Sequence, residues 1–247
     1  MLEKKPIHHL HLESIDSTND YVKKHYEEFD LGRLSCVSAT MQTSGRGTKQ
    51  KSWNSTCPHN IYATFFFETH SAKDLQCIAQ LLSLSTAKVI EKFGLFPTIK
   101  WPNDILIDHK KLGGVLCEII STNDASLVVI GIGLNVNMPK SVLDEIDQPA
   151  NSLFVSTGKV FSSRDLLKKI GEEFQKDLYV FLEKGFKPFC AVYNSYMVYR
   201  ELPVVENEIP IGFSQRVTEN GFLECRGKKG EISYISSGSI DIRSSKH

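Results

Sequence analysis

A chain of 247 residues, of which 41% are hydrophobic, can bury one large core or a main domain together with a smaller one. Its 29 Lys and Arg residues balance 29 Asp and Glu residues, so the net charge gives no reason to expect nucleic acid or an anionic membrane as the principal partner. The six cysteines form no C-x-x-C pair, and neither a signal peptide nor a membrane-spanning apolar run is recognisable. These features favour buried thiols in a cytoplasmic protein, in which any anion site must be local.

The first predicted element is a helix through "TNDYVKKHYEEF" that ends before Gly32. Asp16 or Ser17 would cap its N-terminus, and Asp20 stands where a capping box places its acidic residue. Before this helix, the histidines at positions 8, 9 and 11 look like a metal tract only superficially. We expect a frayed terminal segment there, with no histidine in the functional site.

The later elements alternate strands with helices. "LSCVSAT" (34–40) and "NIYATFFF" (60–67) favour strands on either side of a polar loop at 41–53, and a helix is predicted over 72–93. A strand-rich meander follows, made of "TIKW", "ILID", "GVLCEII" and "SLVVIGIGLNVN". After a loose stretch at 139–162, helices are predicted over 163–185 and 186–197, and the remaining residues favour a small β-barrel of SH3 type.

The loop at 41–53, "MQTSGRGTKQKSW", has the composition in this chain that is most typical of an anion-binding site. Gly45 and Gly47 flank Arg46, so backbone N–H groups and a guanidinium can approach one ligand closely. Further charge and a flat aromatic face come from Lys49, Lys51 and Trp53. A clamp for a phosphate and a base is one interpretation, whereas a solvated hairpin loop fits a lone G-x-G better. A Walker A loop is excluded, because its G-x-x-x-x-G-K-S/T pattern is absent.

The stretch "KWPNDILIDHKKLGGVLCE" (100–118) interrupts strand-like runs with polar groups. Pro102 breaks the strand, which exposes Asn103 and Asp104 at the break. An aspartate there is suited to Mg²⁺, since this cation takes one or two carboxylates together with substrate phosphate. Lys111 follows a turn and can point to the same place, while a glycine pair leaves room for a ligand against the backbone. A hairpin with a charged tip is the alternative interpretation.

Two shorter patterns complete the candidates. "GIGLNVN" (131–137) fails as a dinucleotide fingerprint, because Val136 stands where the third glycine would fall and no helix is predicted after it. It places Asn135 where an amide can bond an edge such as that of adenine, although a tight strand-to-loop transition explains the pattern equally well. "DSTN" places Ser17, Thr18 and Asn19 at a helix N-terminus, where polar groups can bind a small polar head group, whereas simple capping needs only Ser17.

Taken in order, "DSTN", "QTSGRGTKQKSW", "KWPNDILIDHKKLGGVLCE" and "GIGLNVN" resemble the biotin protein ligases, also called biotin–acetyl-CoA-carboxylase ligases. The resemblance implies an α/β fold of the α+β type, with a catalytic domain at 1–198 whose mixed sheet is backed by helices, and an SH3-like domain at 199–247. It also implies two steps that use ATP and Mg²⁺. Biotin and ATP give biotinyl-5′-AMP and pyrophosphate, and the biotinyl group then passes to a lysine of a biotin carboxyl carrier protein of acetyl-CoA carboxylase or a similar enzyme.

The resemblance assigns site residues by position. Those implied for biotin are Ser17, Thr18, Asn19, Gln42, Gly45, Arg46, Gly47, Thr48, Lys111, Gly113 and Gly114. Those implied for ATP are Arg46, Lys51, Trp53, Asn103, Asp104, Lys111 and Asn135. Lys111 and Arg46 are implied as catalytic cations that neutralise the carboxylate and phosphate being joined. Asp104 is implied as a catalytic group, as the Mg²⁺ ligand and as an aid to the incoming lysine.

Other functions stay open at this point. A lipoate–protein ligase or octanoyltransferase shares the implied fold, although "KWPND" and Trp53 after "GRG" favour biotin. A non-catalytic adenylate sensor is a second alternative, which the presence of both Lys111 and Asp104 disfavours. About sixteen residues precede the "STN" helix, too few for a winged helix-turn-helix, so we expect no operator binding. Exposed strand edges in the meander would support a homodimer.

The glycine loop departs from the family pattern G-R-G-R-x-G-R-x-W at three positions, with Thr48, Gln50 and Lys51 in place of Arg, Gly and Arg. A threonine cannot make a bidentate contact with a phosphate, so we expect weaker retention of the adenylate, with Lys49 or Lys51 compensating partly. The measurement is the dissociation rate of the adenylate from the native protein and from Thr48→Arg. We expect slower dissociation from the variant, and equal rates would contradict the hypothesis.

Overall fold

The computed structural model describes residues 2–48, 51–71, 74–122, 124–197 and 199–240. Its strands are β1 (His8–Ile15), β2 (Ser35–Gln42), β3 (Ile61–Thr69), β4 (Thr98–Lys100), β5 (Asp104–Ile107), β6 (Lys110–Ser121), β7 (Ser126–Leu134), β8 (Pro203–Glu206), β9 (Ile209–Val217), β10 (Leu223–Arg226), β11 (Ile232–Ile235) and β12 (Ser239–Ile240). Its helices are α1 (Thr18–His25), α2 (Ile78–Glu91), α3 (Lys140–Leu143), α4 (Leu153–Thr157), α5 (Ser163–Lys184) and α6 (Lys187–Tyr196). Short 3₁₀ turns at Tyr26–Glu28 and Leu75–Cys77 adjoin α1 and α2.

Seven strands form the main sheet, in the order β1-β2-β3-β7-β6-β5-β4. The pair β1–β2 is parallel and the other neighbours are antiparallel, so the sheet is mixed. The central strands β3 and β7 are buried on both faces, which explains their almost unbroken apolar sequences. This sheet, its helices and a second antiparallel sheet near the C-terminus confirm the predicted fold class.

The two faces of the main sheet carry different helices, because successive side chains of a strand point to opposite faces. On one face, the ring of Phe65 lies 5.5 Å from that of Phe174 of α5, in a large core that also includes α2 and α6. On the other face, the ring of Phe66 lies 4.9 Å from that of Phe29, in a smaller cluster with Val22 of α1. The helix that begins with "STN" therefore packs across the sheet from α2 and α5.

The second sheet has five strands in the order β11-β10-β9-β8-β12, and the turn between β9 and β10 docks on the turn between β4 and β5. The carbonyl oxygen of Gly221 accepts hydrogen bonds from Trp101 Nε1 at 3.2 Å and from Gln80 Nε2 of α2 at 2.8 Å. The hydroxyl of Tyr193 on α6 donates to the carbonyl of Pro102 at 2.9 Å. The tryptophan–proline turn is therefore held by groups from α2, α6 and the second sheet.

Most predicted strands and helices are confirmed, but the histidine segment is not frayed. It forms the edge strand β1, where Ser38 Oγ lies 2.7 Å from His9 Nε2 and 2.9 Å from His11 Nδ1. The signal that was overlooked is the short alternation "HLHLE", whose residues Leu10 and Leu12 pack against the smaller cluster beside α1. None of these histidines lines the cavity that holds the candidate site described below.

Two further boundaries need correction. The helix predicted over 72–93 begins only at Ile78, after the 3₁₀ turn, and Ala72 and Lys73 lie outside the described residues. The stretch 139–162, which was predicted to be loose, contains α3 and α4. It also contains Asn151 and Ser152, which are buried although they are polar, so the sequence did not indicate their burial. Val198, at the predicted domain boundary, is not described, and a division into two domains there stays a prediction.

Across the described ranges, every helix is too short or too polar to cross a membrane.

Gly221 offers a test of how tightly the two sheets are joined. Its φ is +76°, and an added Cβ would clash with Cys77 Sγ and lie 2.8 Å from Gln80 Oε1. Gly230 has a similar φ of +88° but nothing within 4 Å of the same position. Both Gly→Ala changes incur a left-handed backbone cost of about 1–2 kcal/mol, whereas Gly221→Ala also overpacks a buried contact at roughly 1–3 kcal/mol.

We therefore expect urea unfolding to show a larger loss of unfolding free energy for Gly221→Ala than for its matched control Gly230→Ala. Equal losses in the two variants would show that the turn is not tightly docked.

Candidate active site

The polar side chains at the start of α1 are tied to the end of β2. Ser17 caps the helix, accepting from the Asp20 N–H at 3.4 Å. The backbone N–H and the hydroxyl of Thr18 both donate to Gln42 Oε1, at 2.8 and 3.1 Å. Gln42 Nε2 in turn donates to Ser55 Oγ at 3.0 Å. One hydrogen-bond network made by the protein itself therefore positions these side chains.

Thr64 extends this network from the middle of β3, and sequence reasoning missed it. Its hydroxyl is fully buried and lies 2.8 Å from Thr18 Oγ1 and 2.6 Å from Asn19 Oδ1. The one available signal is a hydroxyl residue inside the apolar run "IYATFFF", because a buried polar group requires a partner. Its partners come from α1, which packs on the same face of the sheet.

The guanidinium of Arg46 lies within a cluster of four charged groups. Its Nη2 is 2.5 Å from Asp20 Oδ1 and 3.5 Å from Glu118 Oε2 of β6. Lys23 Nζ bridges the same two carboxylates, at 2.8 Å from Asp20 and 2.9 Å from Glu118. Asn19 Nδ2 donates to Glu118 Oε2 at 2.8 Å. The predicted capping-box role of Asp20 is therefore wrong, since its carboxylate binds cations instead.

The neighbours of Glu118 determine its charge. Burial opposes ionisation, but hydrogen bonds from Lys23 and Asn19, together with the charges of Lys23 and Arg46, outweigh it and hold the pKa of Glu118 below its ordinary value. Burial likewise opposes the charge of Lys23, but hydrogen bonds to Asp20 and Glu118 raise its pKa overall. The cluster is thus composed of two cations and two carboxylates in contact.

A second pair of opposite charges lies at the break between β4 and β5. Lys111 Nζ is 2.7 Å from Asp104 Oδ1 and 5.4 Å from the ring centroid of Trp53. Gly114 makes space for this pair, because an added Cβ would lie 3.2 Å from Asp104 Oδ1 and 3.3 Å from Lys111 Cε. Asn103 is fixed to β6, since its Nδ2 donates to the carbonyl of Val115. The ion pair therefore stands at a fixed place on the sheet.

The glycines of "GIGLNVN" make room for two of these side chains. A Cβ on Gly131 would clash with Asn19 Oδ1, and one on Gly133 would lie 2.5 Å from Trp53 Nε1. Trp53 itself is placed by the glycine loop, in which its N–H donates to the Gly45 carbonyl at 2.9 Å. These two glycines therefore allow a close approach to the strand, and the approaching groups belong to the protein.

One cavity brings most of these predicted residues together. Those lining it are Ser17, Thr18, Asn19, Gln42, Arg46, Gly47, Thr48, Trp53, Asn103, Asp104, Lys111 and Gly114. Apolar walls come from Ala63, Val115, Leu116 and Ile132. The cavity thus joins a polar cluster, an apolar wall and two cations, an arrangement suited to an anionic ligand with an apolar body.

Comparison with known proteins identifies the family. Residues 11–135, half of the chain, match the family model described as the biotin/lipoate A/B protein ligase family. The chain belongs to this family. The biotin protein ligase of Aquifex aeolicus in complex with biotin and ATP has 30% identity and a TM-score of 0.77, covering 95% of this chain and 97% of that one.

Two curated relatives are similar over part of their length. The bifunctional ligase/repressor BirA of Salmonella typhimurium is 27% identical over 94% of this chain and 73% of its own length. BirA of Bacillus subtilis is 33% identical over 65% of this chain and 50% of its own length. This family member therefore spans between half and about three quarters of these two relatives.

Four predicted site residues do not line the cavity. Asn135 is buried and donates from Nδ2 to the carbonyl of Asn151 at 3.1 Å, in an adjoining cleft that Trp53 and Lys111 also line. Gly45 and Gly113 pack tightly against Trp53 and β7 respectively. Lys51 accepts from the Gly47 N–H at 2.7 Å through its carbonyl. Lys49 and Gln50 lie outside the described residues.

Within the described part of the chain, no group of three or more His, Cys, Asp or Glu residues is arranged to hold a metal ion. Among the described residues that line the cavity, Asp104 is the one acidic side chain. Any cation bound there would need most of its ligands from a substrate and from water.

The lowered pKa of Glu118 predicts a pH-dependent contribution to stability. Ionised Glu118 stabilises the fold fully above its unfolded pKa of about 4.3, and this stability is lost as the pH falls through the lower folded pKa. We expect Glu118→Gln to reduce the free energy of unfolding by roughly 1–3 kcal/mol at neutral pH. The reduction should shrink as the pH falls from neutral through the unfolded pKa and then through the lower folded pKa.

Urea unfolding across this pH range measures the difference, with Glu183→Gln, an exposed carboxylate on α5, as the control. A deficit of the same size at neutral and acid pH would contradict the assigned ionisation.

Proposed function

We propose that this family member is an ATP-dependent biotin protein ligase, which forms biotinyl-5′-AMP and transfers the biotinyl group to a lysine of a biotin carboxyl carrier protein. The observation that carries the proposal is that Arg46 and Lys111, from distant parts of the sequence, line one cavity with the polar cluster of α1. The similarity to the Aquifex aeolicus structure with biotin and ATP supports the choice of substrates.

The first step joins two anions, which requires positive charge at their junction. A carboxylate oxygen of biotin attacks the α-phosphorus of ATP, a P–O bond forms, and pyrophosphate leaves. Lys111 and Arg46 are suited to neutralise the reacting carboxylate and the phosphate, and a cavity that holds both substrates lowers the entropic cost of their encounter. In the second step a lysine amine attacks the acyl carbon, the amide forms, and AMP leaves.

The biotin end is assigned to the network of Thr18, Asn19 and Gln42. Biotin is apolar apart from its ureido ring and its carboxylate, so a few polar groups against an apolar wall suffice to orient it. Thr64 contributes indirectly, by holding Thr18 and Asn19 in place. Ser17, Gly47 and Thr48 complete this end of the cavity.

The nucleotide end is assigned to Trp53, Asn103 and the Lys111–Asp104 pair. The indole of Trp53 lines the cavity and offers an aromatic face on which a nucleotide base can stack. Asn135 stays a predicted adenine contact across the adjoining cleft. Asp104 would hold Mg²⁺ together with substrate phosphates and water, and the ion would supply charge neutralisation. After the first step, Asp104 is placed to orient the incoming lysine or accept its proton.

The rival function is that of a lipoate–protein ligase or octanoyltransferase, whose family model is shared. The two Aquifex aeolicus structures that match 95% of this chain are of a biotin protein ligase, which favours biotin. We further propose a cytoplasmic enzyme with a catalytic domain at 1–198 and an SH3-like domain at 199–247. Homodimer formation through exposed strand edges is part of the same proposal.

The direct experiment is incubation of the protein with MgATP, a biotin carrier domain, and either biotin or lipoate, followed by mass analysis of the carrier. The proposal predicts one added biotinyl group, dependent on ATP and on the carrier lysine. Addition of lipoate instead of biotin would favour the rival function. If the carrier gains no group and no biotin-dependent pyrophosphate–ATP exchange occurs, the protein would be a non-catalytic binding protein.

Lys111 gives the sharpest mutational test of the first step. Lys111→Ala removes one preorganised cation, and we expect pyrophosphate–ATP exchange to slow by about 10²–10³-fold. Its neighbour Lys110 is exposed and does not line the cavity, so Lys110→Ala should leave the rate unchanged. An unchanged rate for Lys111→Ala would refute its assigned role.

A further inference from the structure

We propose that Asp20 and Glu118 are positioning residues, which hold Arg46 by its Nη2 so that its other N–H groups remain available to the substrate in the cavity. The inference rests on the proposed function, because it explains how that site orients one of its two cations. Nη2 lies 2.5 Å from Asp20 and 3.5 Å from Glu118, and the guanidinium lines the cavity.

The geometry of a guanidinium allows it to bind the two carboxylates and a substrate at the same time. Arg carries five N–H donors in a planar fork, and among the described residues the guanidinium of Arg46 donates a hydrogen bond through Nη2 alone, to Asp20. Nε and Nη1 therefore keep their hydrogens for a carboxylate or a phosphate. Each two-pronged edge of a guanidinium includes Nη2, and the hydrogen bond to Asp20 uses only one of the two Nη2 hydrogens. The second Nη2 hydrogen can therefore still form a two-pronged contact together with Nη1–H or Nε–H.

The anchor is more rigid than an ordinary surface ion pair. Glu118 is fixed by Asn19, whose side chain is buried and fits only because residue 131 is glycine. Lys23 bridges the two carboxylates, so neither can turn away without losing a second partner. By contrast, Lys140 and Asp144 form a pair whose side chains are 73% and 61% exposed.

An unanchored Arg46 would have to lose its side-chain freedom when the substrate binds. Fixing a long arginine side chain costs an entropy that reduces affinity by about tenfold. Once the substrate is bound, the ligand itself holds the guanidinium, so the maximal rate should change little. Loss of the anchor should therefore raise the KM for biotin and leave kcat nearly constant.

The test is biotin-dependent pyrophosphate–ATP exchange at saturating MgATP in Asp20→Asn. We expect about a tenfold higher KM for biotin, with kcat within about twofold of the native value. Asp30→Asn is the matched control, because it removes a carboxylate that pairs with Lys5 at 3.6 Å and does not line the cavity. Its kinetic constants should equal those of the native protein.

Glu118→Gln provides a second variant with the same expected direction, and a thermal unfolding scan verifies that each variant is folded. In an Arg46→Ala background, Asp20→Asn should have no further effect, because the carboxylate acts through Arg46. An unchanged KM for folded Asp20→Asn, or an equal rise without Arg46, would overturn the inference while the proposed function stands. Absence of exchange in the native protein would overturn both.

Discussion

Two cations from distant segments meet in one cavity, and the rest of the site depends on this meeting. Arg46 comes from the glycine loop and Lys111 from β6, and both lie beside the polar residues of α1. Each is balanced by carboxylates, Arg46 by Asp20 and Glu118, and Lys111 by Asp104. Cations drawn into a partly buried cavity need such partners, and an anionic substrate can then exchange with or add to them.

The main sheet makes room for this arrangement mainly by carrying glycine where the side chains of the site approach it. The glycines on β6 and β7 give up a Cβ so that Asn19, Trp53 and the Lys111–Asp104 pair can approach the strand backbone. Glycine weakens a strand, but here the two strands that carry the glycines, β6 and β7, are long and each is paired on both sides. The second sheet and α6 both hydrogen-bond to the tryptophan–proline turn. These contacts hold in place the side of the cavity that Asn103 and Asp104 form directly after the turn.

Much of this arrangement was predictable from the sequence, for identifiable reasons. The strands β2, β3 and β7 are apolar runs bounded by turns, and motifs such as "KWPND" carried the resemblance that assigned Asp104 and Lys111. The supporting residues were not predictable, because Thr64, Asp20 and Glu118 act through partners far away in the sequence. The edge strand β1 was missed for a different reason, since its alternation of Leu10 and Leu12 with polar residues is short and was attributed to a frayed terminus.

The most direct measurement of the central claim is a double-mutant cycle on Arg46→Met and Lys111→Met, using the rate of biotin-dependent pyrophosphate–ATP exchange. If both cations act on one anionic junction, the double variant should lose much less activity than the product of the two single losses. Losses that simply multiply would show that the two residues act at independent places, which would contradict the account.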